Sequence, residues 1–427
     1  MNKIQFQILK HSGINHLGKL IKEKKEFFTP ITWFGLSIIE PLEFQLEVFK
    51  KSNIEAFLSN AYDLYYTDKK GERGRLVKQL QKLDLIHKID SGGFQLMKAE
   101  IKGTANKFPL TPKMVLSKQV EVGCDFGVQL DFPFGPNLSK SQKKKRLNKT
   151  LENLEQALKL IDHNDADFLL LPVIHTVSND LELLEYGLRE IENISGEVPK
   201  FIGVGSLVPL VKSMKGSKKN GIESFIYALI TLRKLLPHSF IHAFGIGGTM
   251  AYLGILGGID SYDSNGWIQK AAYGVVQLPG ISDRFLKKED HNRPYLIQGR
   301  KPRNSKNIVN EIDMFMKCKC SACQPFYKEI WNESEWKLKQ KAFIGRDQSP
   351  KILRAIHNVS LYQSEIILMR KAIKNDRLEQ FVRKRLRNSI YYKYVNFTKK
   401  LESKNIEDLS NFEKLLNSTN KEIADFL

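Results

Sequence analysis

The sequence predicts an α/β protein built on a closed (β/α)8 barrel of the TIM type, and three observations point there. Short apolar runs alternate with longer amphipathic stretches. Glycines gather just after several of those runs. The alternating part extends to about residue 310, which accommodates the roughly 250 residues such a barrel takes. Strand, helix and strand in repetition mean βα units and a parallel sheet. The number of repeats favours closure over an open sheet.

In chain order, the apolar runs at 56–58, 85–90, 126–131, 168–174, 201–204 and 240–245 are read as strands. The stretches 142–161, 180–194 and 222–236 have helical periodicity. Gly92 and Gly93, Gly203 and Gly205, and Gly245, Gly247 and Gly248 fall at strand ends. Active sites of such barrels lie at those ends. The basic, proline-containing segment 283–306 reads as a loop toward a second unit, and the chain from about 361 reads as helical and polar. The expected organisation is a barrel over 1–310, a small metal-binding unit over 311–360 and a basic helical tail over 361–427. No internal repeat or low-complexity tract stands out.

Composition narrows the class. The chain has 427 residues, 42% hydrophobic and 27% charged, with 28 Gly and 15 Pro. That excludes a collagen, a wholly disordered chain and a pure coiled coil. No apolar run reaches the roughly 18 residues of a membrane span, and the first residues lack the apolar core of a signal peptide. The expectation is a soluble, cytoplasmic protein with no membrane partner. Lys and Arg exceed Asp and Glu by 67 to 47, a net charge of +20. Such an excess attracts phosphate backbones. Between 370 and 400, eleven basic residues face Asp376 and Glu379 alone, a local excess of +9, with Tyr391, Tyr392 and Tyr394 among them. Arg383, Lys384, Arg385 and Arg387 are the expected nucleic-acid contacts there.

Cysteine is scarce at four, and Cys318, Cys320 and Cys323 fall within six positions. That pattern excludes a disulfide scaffold and points to a reducing compartment with a local metal site. Zinc takes four tetrahedral ligands, so three cysteines need one more. His357 in Arg354-Ala-Ile-His357-Asn358 is the candidate, with His175, His242 and His291 as rivals. A closed Cys3His site is structural, with one zinc per chain.

Three carboxylate motifs accompany these strand ends. Asp90-Ser-Gly-Gly-Phe94-Gln supplies an acid that can shuttle a proton, glycines that let backbone approach a ligand, and a ring that can stack. Read alone, it could also be a tight turn. Asp131 ends an apolar run, where a carboxylate can accept hydrogen bonds from the donor edge of a base or cap the following loop. Gly257-Gly-Ile-Asp260-Ser-Tyr-Asp263 holds two carboxylates three apart, either of which could be a nucleophile or a helix cap.

Together these motifs resemble the tRNA-guanine transglycosylases, which exchange guanine for a 7-deazaguanine. The resemblance runs from about residue 29 to 381. Asn60-Ala-Tyr-Asp-Leu is similar to the family's Asn-Thr-Tyr-His-Leu, Gly205-Ser206-Leu207 to its Gly-Gly-Leu, and Leu368-Met369-Arg370 follows the zinc histidine as in the family. The resemblance implies Asp263 as nucleophile and Asp90 as general acid and base. It implies a base site formed by Asp131, Phe94, the backbone of Ser206 and Leu207, Asn60 and, where the family has glutamine, His175. Displacement at C1′ through an oxocarbenium-like state, with the sugar held on a carboxylate, retains configuration. No redox or nucleotide cofactor is implied.

The polymer is where the sequence departs from that pattern. The bacterial tRNA enzymes follow the nucleophile with an arginine-bearing Pro-Thr-Arg…Ala-Arg-Asn-Gly loop. Here Ser264-Asn-Gly-Trp267-Ile-Gln-Lys270 takes its place. The archaeal enzymes carry added RNA-binding domains for which this chain has little room. The expectation is therefore the DNA-modifying, DpdA-type branch, with Trp267 stacking near an extruded nucleotide. A tRNA enzyme is the alternative, and a non-catalytic nucleic-acid-binding subunit of the same fold a second one. The segment 207–211 lacks a glutamate that would pair an aminomethyl base, which favours the neutral nitrile base preQ0. A homodimer or partner modification proteins fit the same reading.

Overall fold

The first strands form where alternation is cleanest. Ile4–Ser12 (β1) alternates half-buried and exposed side chains after the buried Ile4, and it pairs antiparallel with Asn15–Lys22 (β2), which pairs with Lys25–Phe28 (β3). In this computed structural model, the described residues are 4–68, 70–104, 107, 109–135, 138–164, 166–176, 180–208, 220–286, 296–297, 305–345 and 347–417.

The barrel follows. Its strands are Ile31–Gly35 (β4), Ala56–Asn60 (β5), Ile86–Asp90 (β6), Phe126–Val128 (β7), Leu169–Leu171 (β8), Val173–His175 (β9), Phe201–Gly205 (β10), Phe240–Ala243 (β11) and Ser261–Ser264 (β12). Neighbours are parallel and follow chain order, and β12 returns to β4 with Ser261 opposite Ile31. β8 and β9 are one stave interrupted at Pro172. Proline has no N–H for a ladder, so β8 pairs only with β7 and β9 with β10. The Pro172 carbonyl still accepts from Gly203 N at 2.8 Å. The side chain of Gln129 bridges the break, accepting from Val173 N and donating to the Thr150 carbonyl. Nine strands thus make eight staves. The expected runs at 126–131 and 168–174 are shorter or split, and β4 and β12 complete the set.

The barrel interior is layered. Phe126, Phe201 and Phe240 begin their strands and pack ring against ring at 5.6–6.2 Å, with Trp33 against Phe126 at 5.5 Å. Phe6 of β1 covers Phe201 and Phe240, so the N-terminal sheet seals the strands' N-terminal end. Polar groups occupy the other end, where the strand termini carry Asn60, Asp90 and His175.

Beyond the barrel, Val275–Leu278, Ile281–Leu286 and Leu296–Ile297 form a small antiparallel sheet. The helices Ser305–Met316, Glu333–Phe343 and Gln348–Lys374 follow. The long helix crosses the boundary expected at 360, so His357 and Arg370 share one rod. Leu378–Leu386, Lys393–Glu402 and Ile406–Asn417 complete the described tail. They do not hang free: Val382, Leu386, Val395, Phe397, Leu401 and Leu409 are buried in one cluster with the barrel helix Gly221–Leu235.

Candidate active site

A cavity of about 660 Å³ opens at the C-terminal ends of the strands. Asp90, Asp131 and Asp263 all line it, with Asn60, Phe94 and Ser206. Three segments that are far apart in sequence therefore bring their carboxylates to one space, because β6, β7 and β12 end at the same rim.

Local geometry explains each placement. Gly92 has φ +94°, a conformation that disfavours other residues, and it starts the helix Gly93–Ile101 directly after β6. A Cβ on Gly93 would stand 2.3 Å from Asp131 Oδ1, so this helix start and the Asp131 carboxylate approach each other only because that residue is glycine. Phe94 follows on the first turn. Asn60 caps the next helix, accepting from Asp63 N at 3.4 Å.

Asp131 is supported from two sides. Ser91 Oγ accepts from Gly93 N and donates to Asp131 Oδ1 at 2.8 Å. On the other side Ser206 Oγ accepts from Phe134 N at 2.8 Å and meets His175 Nδ1 at 3.0 Å. Donation from that hydroxyl to Nδ1 leaves the proton on Nε2, which faces Asp131 Oδ2 at 3.4 Å. Ser206 holds this position at φ +63°, unusual outside glycine. Burial pushes the Asp131 carboxyl up to about 6 and His175 down to about 3. His175, expected in the base site, stands behind Asp131 and Ser206 rather than among the cavity-lining residues. The Leu207 side chain is fully buried in the core, which leaves its backbone for any ligand contact.

The other two carboxylates diverge. Burial raises Asp90 to about 7; Lys88 opposes that rise, while Asp263 and Asp131 add to it. Burial also acts to raise Asp263, but Lys88, His242 and the Gly245 N–H together hold it below the usual carboxylate value. Its Oδ1 accepts from Gly245 N at 3.1 Å and lies 3.0 Å from His242 Nε2. Lys88 Nζ is 3.8 Å away. Asp260 is elsewhere: its carboxylate pairs with Arg233 at 2.5 Å and His16 at 2.6 Å and accepts from Ile241 N. Of the two carboxylates, Asp263 lines the cavity and Asp260 is engaged in a buried ion pair.

Lys88 and His242 were absent from the expected site. The legible signal for Lys88 is period two: it sits two residues before Asp90 on one strand, so both face the barrel interior. His242 was a rival zinc ligand, but it serves Asp263. His175 is likewise engaged with Ser206, and His291 lies outside the described residues, as do residues 209–211 and 418–427.

The three cysteines and His357 come together, as a group that could hold a metal ion. Cys318, Cys320, Cys323 and His357 place their ligand atoms within 4.8 Å of one another. The three Sγ atoms lie 3.5, 3.7 and 3.4 Å from His357 Nδ1. Tetrahedral zinc with ordinary bond lengths sets that separation at about 3.6 Å, so the donor set fits the ion. The other ring nitrogen meets the Gln277 carbonyl at 2.8 Å, which orients the ring. Asn358 accepts from Gln277 N at 2.8 Å and donates to the Val275 carbonyl, tying the helix to the small sheet.

Three of the expected nucleic-acid contacts, Trp267, Arg383 and Arg385, are engaged within the fold. Trp267 is fully buried, donates to the Gly35 carbonyl at 3.1 Å and packs on Phe49 at 5.2 Å. It is a core residue and cannot stack on a nucleotide. Arg385 is held by Glu365 and Arg383 by Glu379 and Asn396. Lys384 and Arg387 remain exposed. No helix among the described residues is long and apolar enough to cross a membrane.

Comparison with known proteins points in the same direction. A family model described as queuine tRNA-ribosyltransferase matches residues 14–390. The chain is similar to the tRNA-guanine(15) transglycosylase of Pyrococcus furiosus, at 26% identity over 90% of this chain and 56% of the relative. It is similar to that of Thermococcus kodakarensis at 25%, over 91% and 58%. The Archaeoglobus fulgidus protein of the same description is 25% identical, over 90% and 68%. The chain thus spans little more than half the length of the first two.

Proposed function

From the premise that this chain belongs to the queuine tRNA-ribosyltransferase family, we propose that it is a pentosyltransferase exchanging guanine in a nucleic acid for a 7-deazaguanine. The observation that carries this is the divergence of two carboxylates in one cavity: Asp263 held ionised and Asp90 raised to about 7. Carboxylates pushed apart in this way mark a nucleophile and an acid. Asp263 attacks C1′ and takes the sugar, Asp90 protonates the departing guanine, and the incoming base returns a proton to Asp90 as it displaces Asp263. Asp131, with one oxygen fixed by the Ser91 hydroxyl, receives the N–H groups of the base, and Phe94 stacks on it.

The polymer we propose is tRNA. The relatives, all tRNA-guanine(15) transglycosylases by name, support it over DNA, reversing the order drawn from sequence. One sequence observation keeps DNA as a second reading: segment 264–270 lacks the arginines of the bacterial anticodon-reading loop. For the incoming base we propose preQ0, since Val208 puts an apolar side chain on the cavity wall beside Ser206. Cys318, Cys320, Cys323 and His357 would hold zinc, whose contribution is to clamp the unit around the long helix.

The test is incubation with labelled guanine or preQ0 and either tRNA or duplex DNA, with any required partner proteins supplied. Label in tRNA supports the proposal. Label in DNA alone transfers it to the second reading. A covalent adduct with polymer should survive a denaturing gel for the wild type and vanish for Asp263→Ala. Loss of the adduct in Asp260→Ala but not in Asp263→Ala would reassign the nucleophile.

A further inference from the structure

A lysine with no route to solvent lies under the two reacting carboxylates. Lys88 is 1% exposed. Its Nζ touches His242 Nε2, lies 3.8 Å from Asp263 Oδ1 and sits over the rings of Phe244 at 4.8 Å and Trp33 at 5.5 Å. Those contacts come from β4, β11, the segment after β11 and β12, while Asp90 is two residues on along its own strand. The acids facing it are Asp263 and Asp90; His242 is the remaining titratable neighbour. His242 is further fixed by Ser261 Oγ at 2.7 Å from Nδ1.

An amine here is costly to bury, since a charge leaving water loses several kcal/mol unless it is paired. Packing alone would be better served by Met or Leu. The arrangement therefore calls for a use of the charge.

We propose that Lys88, held by His242, is a positioning residue that serves as one shared counter-ion for both Asp263 and Asp90 throughout the exchange. This rests on the base-exchange reading above. The electron count explains why one cation suffices. Before reaction Asp263 is a carboxylate and Asp90 is protonated. As the C1′–O bond to Asp263 forms and the C1′–N bond to guanine breaks, the bonding pair leaves with the base, which takes the Asp90 proton. Asp263 is now a neutral ester and Asp90 a carboxylate. The incoming base gives its proton to Asp90 and its nitrogen pair to C1′, and Asp263 departs as a carboxylate. One negative charge moves from Asp263 to Asp90 and back beside a cation that stays still, so the buried layer keeps the same net charge at every stage. Preorganised charge of this kind requires no reorganisation when the bonds change.

Lys88→Met, which keeps length and loses charge, tests this. Adduct formation and adduct discharge by incoming base are measured separately in single turnovers. Both should slow by about 100-fold, the usual scale for loss of one preorganised electrostatic contact. KM for the base should stay within about threefold, because nothing that binds the base is removed. The acid limb of the rate profile should move up toward the ordinary carboxylate range, which a merely structural role would not cause. Rates within about threefold of wild type, or slowing of only one half-reaction, overturn the shared counter-ion. A wild type inert on both polymers instead overturns the functional reading. If Lys88→Met and Lys88→Gln both fail to fold, carbon-13 NMR of labelled aspartates in the wild type decides. An Asp263 carboxyl titrating below the usual range supports the proposal, and one titrating at or above it overturns it.

Discussion

Asp90 and Asp263 are the same residue type in the same cavity, and their surroundings set them apart. In the unfolded chain Asp90 releases its proton near 4, whereas in the fold it does so at about 7. Between these values the unfolded chain has lost a proton that the folded chain keeps. Ionising Asp90 therefore costs stability as pH rises from about 4 to 7, and the loss is complete above 7. Asp90→Asn should abolish exchange yet raise Tm at pH 8, with the gain fading by pH 4; a lower Tm at pH 8 would contradict this. The proposed exchange starts with Asp90 protonated, so kcat/KM should fall above about pH 7. Asp260 shows the contrary case. Its Asp260→Asn variant leaves Arg233, 2% exposed, without its ion partner, and breaking such a buried pair costs about 3–5 kcal/mol. Thermal unfolding of the two variants side by side separates a reacting carboxylate from a structural one. Ser206→Gly relieves the positive φ but removes the hydroxyl between Phe134 N and His175. A rise in KM for the base with a smaller change in kcat is expected, read from steady-state exchange.

At the scale of elements, sequence patterns fare best where burial is one-sided or complete. β5, β6 and β10 are legible because their apolar runs end in Asn60, Asp90 and Gly205. β12 is not, since Ser261–Ser264 offers Tyr262 as its single apolar side chain and owes its strand geometry to pairing between β11 and β4. Lys88 reads by residue type as a surface group, and only its spacing of two from Asp90 along one strand turns it inward. β8 and β9 were legible as one run, but Pro172 divides the stave. The cysteine motif needed no tertiary help because three ligands fall within six positions. Only the choice of His357 over its rivals depended on the fold. If zinc clamps this unit, about one zinc per chain should be found, and Cys320→Ser or chelation should lower Tm sharply, since ligation in a closed site contributes folding free energy directly. A metal-free chain with unchanged Tm would reject the clamp. Asn358→Leu, which breaks the ties to Gln277 and Val275, should lower Tm without removing the metal.

On the scale of the whole molecule, a charge of +20 describes attraction to a polyanion without saying which surface exerts it. The run at 370–400 looked uniform in sequence, and packing divides it. Arg370 forms a paired contact with Glu55, and Arg385 one with Glu365, a carboxylate buried to 8% side-chain exposure. Lys384 and Arg387 are exposed on the same helical segment. Neutralising all four of Arg383, Lys384, Arg385 and Arg387 would therefore mix two effects. Arg385→Ala should lower Tm, because Glu365 loses its guanidinium and, among the described residues, keeps the Tyr252 hydroxyl alone, while affinity for polymer in the folded protein changes little. Lys384→Ala with Arg387→Ala should leave Tm alone. If both contact phosphates, the slope of log affinity against log salt should flatten by about 1.4 on a single strand or 1.8 on a duplex. Exchange at saturating polymer should hold, since the carboxylates that react are on the barrel. An unchanged slope in that double variant would place the phosphate contacts on another face, and the excess of charge along 370–400 would then be a solvated helix surface.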